Sequence, residues 1–147
     1  MTHSPDYVAL TVAEGLIRKH EGTVKEGGRH RLYRCTSGKW TAGIGRNLED
    51  VGLSDDEVEL MLANDIAACS ADLSSFYWWS ALTPNRKAAL LDLRFCVGPG
   101  GFRAFRKMIA AIESQDWAEA GRQILDSKFA KQTGQRARDL SDILRDG

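Results

Sequence analysis

Residues 33–48 read Tyr33-Arg-Cys-Thr-Ser-Gly-Lys-Trp-Thr-Ala-Gly-Ile-Gly-Arg-Asn-Leu48, and the fold class follows largely from this stretch. Turn-forming residues 36–39 separate two short runs, and Gly43 and Gly45 follow in a segment without helix formers. This pattern predicts a small β-hairpin or meander between residues 29 and 46. The glycines supply the tight bends and close backbone approaches that such a small sheet needs.

Helices are predicted on both sides of this stretch. Thr11-Val-Ala-Glu14 has the form of a capping box and predicts a helix that begins there. Glu21 is expected to end this helix, because Gly22 is a natural left-handed stop. A second capping box, Ser54-Asp-Asp-Glu57, predicts a helix that runs to about residue 73.

The rest of the chain is predicted to be helical. Thr83-Pro84 is an N-cap followed by proline at the first helical position, and it opens a central buried helix over 85–97. The sequence Gly98-Pro-Gly-Gly101 is expected to interrupt the helical structure. Further helices are expected over 103–113, 116–126 and 135–145.

The expected architecture is therefore α+β and mostly α, in one domain over 1–147. A lobe over 11–75 combines a helix, the small sheet and a connecting helix, and residues 76–147 form a helical bundle. A cleft between the two lobes would be a natural site for a polymer.

Composition limits the class of protein. The chain has 147 residues, of which 43% are hydrophobic and 27% are charged. It is therefore expected to be soluble and to bury a core without the help of disulfides or a metal ion. No apolar run approaches the roughly 18 residues of a membrane span. Cys35, Cys69 and Cys96 are an odd, widely spaced set, which predicts neither a disulfide framework nor a zinc site. We expect no metal and no cofactor.

Charge is segregated along the chain although the formal net charge is zero. Residues 17–46 hold eight Lys or Arg and two Glu, whereas residues 49–72 hold eight Asp or Glu and no basic residue. The basic segment could attract an anionic polymer, or the two segments could neutralise each other.

Glu21 is the first candidate for chemistry. A carboxylate at a helix C-terminus faces the negative end of the helix dipole, which favours its protonated form and suits a general acid. An exposed glutamate that merely ends a helix is the alternative.

Three segments resemble the phage lysozyme family, glycoside hydrolase family 24. The first is the order of Glu21, Cys35 before a tight turn, Thr41 after five further residues, and then Gly-x-Gly. The others are Arg86-Lys-Ala-Ala-Leu90, similar to the start of the family's central helix, and Gln132-Thr-Gly-Gln-Arg136-Ala137, similar to its Q-T-x-x-R-A segment. Together they cover most of residues 12–145.

The resemblance implies a lysozyme-like fold and a muramidase. Glu21 would protonate the glycosidic oxygen, Cys35 would occupy the second catalytic position, and the Thr41 hydroxyl would hold the attacking water. Thirteen residues, not the familiar eight, separate Glu21 from Cys35. We expect the five additional residues at Lys25–Arg29 as an extra turn, since a longer surface loop costs little free energy.

Cys35 stands where aspartate is commoner in the family. Arg34, Lys39 and Arg46 are near in sequence and are expected to lower the pKa of Cys35 toward the thiolate. A thiolate can assist water or attack carbon, and both remain open. The alternative is that Cys35 is a small buried hydrophobe. Cys69 and Cys96 are expected in the core.

The resemblance also places Arg136 near Glu21, where an ion pair would oppose the effect of the helix dipole. Core packing is favoured for most of the tryptophans, and Trp40 alone lies beside the expected site. Candidate substrate contacts are Tyr33, Asn47, Phe95, Phe105 and Gln123.

The expected partner is bacterial peptidoglycan, with inversion at the anomeric carbon. We expect a monomer without stable membrane insertion, held in the host cytoplasm because residues 1–7 lack a secretory signal, and reaching the wall through a holin. A non-catalytic wall-binding or tail-baseplate module is the alternative. Nucleic-acid binding through residues 17–46 is not expected.

Overall fold

Helices dominate the chain, and five short strands lie between the first two helices. A computed structural model describes residues 5–147. The chain divides into two compact units, one up to Val58 and one from Glu59 to Gly147. The expected α+β, mostly α class is confirmed.

In order, the elements are α1 Pro5–Glu21, β1 Lys25–Glu26, β2 Arg29–His30, β3 Tyr33–Arg34, β4 Trp40–Ala42, β5 Arg46–Asn47, α2 Asp55–Leu73, a 3₁₀ helix Trp79–Ala81, α3 Pro84–Ala104, α4 Arg106–Glu113, α5 Trp117–Leu125, α6 Lys128–Thr133 and α7 Gln135–Asp146.

Helix α1 begins at Pro5 and not at Thr11. The Thr11 hydroxyl donates to the Tyr7 carbonyl at 3.0 Å, as a threonine inside a helix can. Glu14 pairs with Arg18, one turn further on, at 2.8 Å. The predicted capping box at 11–14 is therefore wrong, because both side chains find partners within the helix. The predicted end at Glu21 is confirmed.

The strands form two small antiparallel sheets. Strands β1 and β2 make a hairpin that pairs Glu26 with Arg29. Gly27 and Gly28 connect them with φ of +57° and +75°, the left-handed pair that a two-residue type I′ turn requires. A turn therefore lies at the predicted place, Lys25–Arg29, and it forms a separate hairpin. Strands β3, β4 and β5 form the second sheet in that order.

Helix α2 begins with the capping box that the sequence predicts. The Ser54 N–H donates to Glu57 Oε2 at 2.8 Å, and the Glu57 N–H donates to Ser54 Oγ at 3.3 Å. Arg46 of β5 binds the same carboxylate at 2.7 and 3.0 Å. Glu57 therefore joins the start of α2 to the last strand, and the helix ends at Leu73 as expected.

Helix α3 also begins as predicted. The Thr83 hydroxyl accepts a hydrogen bond from the Arg86 N–H at 3.2 Å, and Pro84 occupies the first turn. Gly98 interrupts the helix with φ +77° and ψ 174°. The chain then continues helically to Ala104, so the next helix begins at Arg106 and the predicted start at residue 103 is wrong.

The last three helices agree with the sequence at two places and differ at one. Asp116 caps α5 by accepting from the Glu119 N–H at 3.0 Å, and α7 matches the predicted range 135–145 closely. Helix α6 was not predicted. Ser127 caps it by accepting from the Ala130 N–H at 3.1 Å. Six residues are too few to display a helical period, which explains the omission.

The hydrophobic core lies in the unit from Glu59 to Gly147, and one face of α3 contributes Ala89, Leu90 and Leu93 to it. The predicted central buried helix is buried on one face only, because Phe95 on the opposite face is 46% exposed. Cys69 is buried as expected, whereas Cys96 is exposed and is not a core residue. The largest fully buried side chains are Phe102, Leu73, Leu90, Leu93, Met108, Ile112, Ile124 and Leu144.

Asp72 of α2 binds an arginine on each side of the interruption in α3. Its carboxylate accepts from Arg94 Nε at 2.5 Å and from Arg103 Nη2 at 2.7 Å. Arg94 precedes Gly98 and Arg103 follows it. The hydrogen bonds from Arg103 and then Arg94 lower the pKa of Asp72 to about 2.

We expect Asp72→Asn to lower the free energy of unfolding by about 2 kcal/mol at neutral pH, because two arginines lose their anionic partner. The pKa of Asp72 in the folded state is about 2, below the roughly 3.9 of an unfolded chain. This contribution is therefore complete above about pH 5 and is lost as the pH falls toward about 2. Urea unfolding at both ends of this range measures it.

The matched control is Asp65→Asn, which removes an exposed acid from the same helix. It should change the free energy of unfolding little at either pH. If the loss caused by Asp72→Asn were the same at neutral and acid pH, ionisation of Asp72 would not be its cause.

Candidate active site

The end of α1 brings Glu21 against the turn between β4 and β5. A Cβ atom on Gly45 would lie 2.6 Å from Glu21 Oε2 and 2.8 Å from its Cδ, so the carboxylate occupies space that only glycine leaves open. Gly45 also has φ +69°, a conformation that favours glycine. Glu21 is exposed to solvent. Its carboxylate is therefore both positioned and accessible.

Cys35 begins the tight turn that joins β3 to β4. Its carbonyl accepts from the Gly38 N–H at 2.8 Å, and its own N–H donates to the Lys39 carbonyl at 3.0 Å. Gly38 has φ +78°, which returns the chain to the sheet in the manner of a bulged hairpin turn. The turn thus holds the Cys35 backbone at both its N–H and its carbonyl.

Hydrogen bonds also surround the Cys35 sulfur. Ser37 Oγ lies 3.0 Å from Cys35 Sγ. This hydrogen bond, followed by one from the backbone of Lys39, lowers the pKa of Cys35 to about 7. The Thr41 hydroxyl contributes a smaller effect in the same direction. A large fraction of Cys35 is therefore thiolate at neutral pH, and only the thiolate can act as a base or nucleophile.

The basic residues expected to lower the pKa of Cys35 are paired with acids instead. Lys39 Nζ lies 3.0 Å from Asp50 Oδ1, and Arg34 lies 3.8 Å from Glu49. Arg46 is held by a glutamate at the start of α2. The expectation that these charges act on the thiol is wrong as to the cause, since hydrogen bonds are the largest contributions.

Thr41 is the buried residue of β4, with 3% of its surface exposed. Its hydroxyl donates to the Lys39 carbonyl at 2.9 Å. A hydroxyl has one proton and two lone pairs, so Thr41 Oγ1 keeps acceptor capacity after this donation. It can therefore accept a hydrogen bond from a donor beside Cys35.

Three of the predicted site residues form one row across the second sheet. Tyr33 of β3 pairs with Thr41 of β4, which pairs with Asn47 of β5. Paired residues of adjacent strands lie on the same face of a sheet. The Asn47 side chain is engaged with Asp50, donating to its carboxylate at 2.9 Å and accepting from its N–H at 3.0 Å. Asn47 therefore also shapes the turn after β5.

Two further predicted residues share a cavity in the unit from Glu59 to Gly147. Phe105 and Gln123 line this cavity of about 710 Å³, together with Met108 and Phe129. Gln123 donates to Glu119 at 2.6 Å. The cavity thus combines aromatic surface with an amide.

Phe95 and Arg136 line a second cavity, of about 370 Å³, in the same unit. Arg136 Nε donates to Asp92 Oδ1 at 2.7 Å. The side-chain hydrogen bond to Asp92 raises the pKa of Arg136 above its ordinary value. The expected role of Arg136 beside Glu21 stays a prediction.

Trp40 has its ring covered by a neighbour. The Arg34 guanidinium carbon lies 3.9 Å from the ring centroid, close enough for a cation–π contact. In β4, Trp40 and Thr41 point to opposite faces of the sheet, since successive side chains alternate. Trp40 therefore lies on the face away from the row that contains Thr41.

Sequence reasoning did not single out Ser37 or Gly45 as site residues. A hydroxyl two positions after Cys35 within a tight turn is a usable signal, because such side chains often bond to atoms of their own turn. The contact of Gly45 with Glu21 has no local signal, since the two residues are far apart in the chain.

Residues 5–147 offer neither a cluster of metal ligands nor a membrane-spanning helix. Within this range no group of three or more His, Cys, Asp or Glu side chains could hold a metal ion. No helix in the same range is long and apolar enough to cross a membrane.

Comparison with known proteins gives consistent matches. The sequence model for phage lysozyme matches residues 23–143. Probable T4-type lysozyme 2 of Dictyostelium discoideum is 25% identical in an alignment of 154 positions, which spans 83% of this chain and 89% of that protein. An endolysin of Acyrthosiphon pisum secondary endosymbiont phage 1 is 29% identical over 125 residues, covering 82% and 80%.

A further relative is a larger protein. The pre-baseplate central spike protein Gp5 of Enterobacteria phage T4 is 26% identical in an alignment of 167 positions, which spans 94% of this chain but 28% of Gp5. The similarity therefore concerns one part of Gp5. Together these matches confirm the family resemblance inferred from the sequence.

Proposed function

The chain belongs to the phage lysozyme family, and we propose that it cleaves the β-1,4 bond between N-acetylmuramic acid and N-acetylglucosamine. The family and its endolysin member make it a lysozyme-type hydrolase of peptidoglycan. The observation that best supports the finer proposal is the Glu21 carboxylate held against Gly45, within the same unit as Cys35 and Thr41.

Glu21 is the general acid of this proposal. Breaking a glycosidic bond leaves an oxygen that must be protonated, while positive charge develops at the anomeric carbon. Glu21 gives its proton to the oxygen of N-acetylglucosamine as the bond breaks. Its exposure at the end of α1 suits a polymeric substrate, which must lie along the protein surface.

Cys35 and Thr41 act on the attacking water. The Thr41 hydroxyl oxygen accepts a hydrogen bond from the water, since its own proton is donated to the Lys39 carbonyl. The Cys35 thiolate takes the water proton as the oxygen bonds to the anomeric carbon of N-acetylmuramic acid. The products are a free hydroxyl on one sugar and a reducing end on the other, and transfer of the Cys35 proton through solvent to Glu21 restores the site.

Sugar binding is assigned to the remaining candidates. Tyr33 shares the sheet row of Thr41, and Asn47 ends the same row. Phe105 and Gln123 offer an aromatic ring and an amide in the larger cavity, the two chemistries that suit the ring face and acetamido group of an N-acetyl sugar. Phe95, exposed on α3, is a further apolar contact.

The biological setting follows the endolysin relative. We place the enzyme in the host cytoplasm until lysis and then at the cell wall, acting as a monomer after a holin opens the membrane. The similarity to the baseplate spike protein Gp5 favours a tail-associated setting as the alternative, and the second candidate is a module in that setting that binds the wall without cleaving it. Release of new reducing ends from purified peptidoglycan separates the two candidates.

We expect Glu21→Gln to lower the rate of reducing-end release by at least about 100-fold, because the amide keeps the shape of the side chain but has no acidic proton. Sedimentation with insoluble peptidoglycan should be retained. Glu14→Gln, which alters an exposed glutamate of the same helix, is the control and should remain active. Turnover by Glu21→Gln near the wild-type rate would refute the general acid, and a wild-type protein without turnover would favour the binding module.

Attack by a Cys35-bound water opposite the leaving group would invert the anomeric centre. We therefore expect the first product from the β-linked strand to be the α anomer. Proton NMR recorded during the first minutes of hydrolysis, before mutarotation, measures it. An initial β anomer would instead indicate direct attack by the sulfur and a covalent intermediate.

The contact between Gly45 and Glu21 allows a test of position alone. A methyl group at Gly45 would displace the carboxylate, and misplacement of a catalytic group by about 1 Å can cost about 100-fold in rate. We expect Gly45→Ala to lower kcat/KM by about 10- to 100-fold.

Gly43→Ala is the matched control for backbone strain. Gly43 has φ +64° in the same turn, but a Cβ atom there meets nothing within 4 Å. Both variants should lose similar stability, about 1 kcal/mol, whereas only Gly45→Ala should lose much activity. Equal losses of activity would mean that backbone strain, and not the displaced carboxylate, explains the effect.

A further inference from the structure

We propose that Ser37 is a positioning residue that keeps Cys35 ionised and oriented for its role with water. This inference rests on the proposed function, because it assumes that Cys35 is the group that takes the proton from water. Ser37 lies in the turn between β3 and β4, and the family resemblance assigned it no role.

Contact geometry carries the argument. Ser37 Oγ lies 3.0 Å from Cys35 Sγ, within the hydrogen-bond distance for sulfur. The turn restrains both residues, since Cys35 is hydrogen-bonded to Gly38 and Lys39 through its backbone. Ser37 therefore meets the sulfur without first having to order a flexible segment.

Proton availability distinguishes Ser37 from the other hydroxyl near Cys35. Thr41 donates its single proton to the Lys39 carbonyl at 2.9 Å. The Ser37 hydroxyl is therefore the stronger donor to a negatively charged sulfur, and Thr41, whose effect on the pKa of Cys35 is smaller, keeps a lone pair for water. Ser37 therefore stabilises the base, and Thr41 orients the water.

Charged groups around the turn are already paired. Arg34 ends β3 and Lys39 directly precedes β4, and both lie within 4 Å of Glu49 in the segment after β5. Lys39 is also bound to Asp50. From α1, Glu21 lies against Gly45. Hydrogen bonds consequently dominate the ionisation of Cys35, and the one from Ser37 is the largest influence lowering its pKa to about 7.

The test compares Ser37→Ala with two matched variants. Thr36→Ala removes an exposed hydroxyl from the same turn, and Ser37→Thr keeps the hydroxyl at position 37. The first readout is the pH midpoint for alkylation of Cys35 by iodoacetamide, followed on its own peptide by mass spectrometry so that Cys69 and Cys96 do not interfere. The second is kcat/KM on purified peptidoglycan between about pH 6 and pH 9.

We expect a wild-type midpoint near 7. Ser37→Ala should raise it by about one pH unit, which lowers the thiolate fraction at pH 7 about five-fold. The ratio of Ser37→Ala to wild-type kcat/KM should then rise with pH as the thiolate recovers. Thr36→Ala and Ser37→Thr should both keep the wild-type midpoint and activity.

An unchanged alkylation midpoint in Ser37→Ala would overturn the inference, even if activity fell. A raised midpoint with an activity ratio that does not vary with pH would instead overturn the proposed role of Cys35 in catalysis. The two failures are distinguishable because alkylation reports the sulfur directly and does not depend on turnover.

Discussion

Contact between the Glu21 carboxylate and the backbone of Gly45 is the constraint around which the candidate site is built. Helix α1 must end at Glu21 for its side chain to reach the β4–β5 turn, and Gly22, with φ +65°, provides that end. The turn must also lack a side chain at residue 45. A helix end and a turn, each dependent on a glycine, thus fix the position of one carboxylate.

Cys35, which we propose as the second catalytic residue, illustrates how a thiol can take the place of an acid. A tight turn directs hydroxyl and amide hydrogens toward the Cys35 sulfur, and this polar cradle favours negative charge there. An aspartate in the same turn would accept the same hydrogen bonds. The cradle therefore explains why the exchange of carboxylate for thiol can preserve an anionic group.

Segregated charge in the sequence becomes local pairing in the fold. Lys39 and Arg46 from the basic segment bind Asp50 and Glu57 from the acidic one. These pairs are exposed, so each adds little stability. Their effect is to join the sheet to the following turn and to the start of α2. At these positions mutual neutralisation describes the charges better than an open cationic surface does.

Sequence alone determined the features that depend on neighbours within one turn. The Ser54–Glu57 capping box, the Thr83-Pro84 start and the helix stop at Gly22 each involve groups a few residues apart, so their chemistry is readable in order. Thr11 was misread because its hydroxyl had an equally local partner in Tyr7.

Tertiary structure decided which of the candidate groups meet. Glu21 reaches Gly45 only because the intervening hairpins close. Ser37 is the main influence on the pKa of Cys35, because Arg34 and Lys39 pair with Glu49 and Asp50. The order of Glu21, Cys35 and Thr41 in the chain made them candidates through the family resemblance. What surrounds a side chain depends on loop closure and on competition among partners, and both are properties of the folded chain.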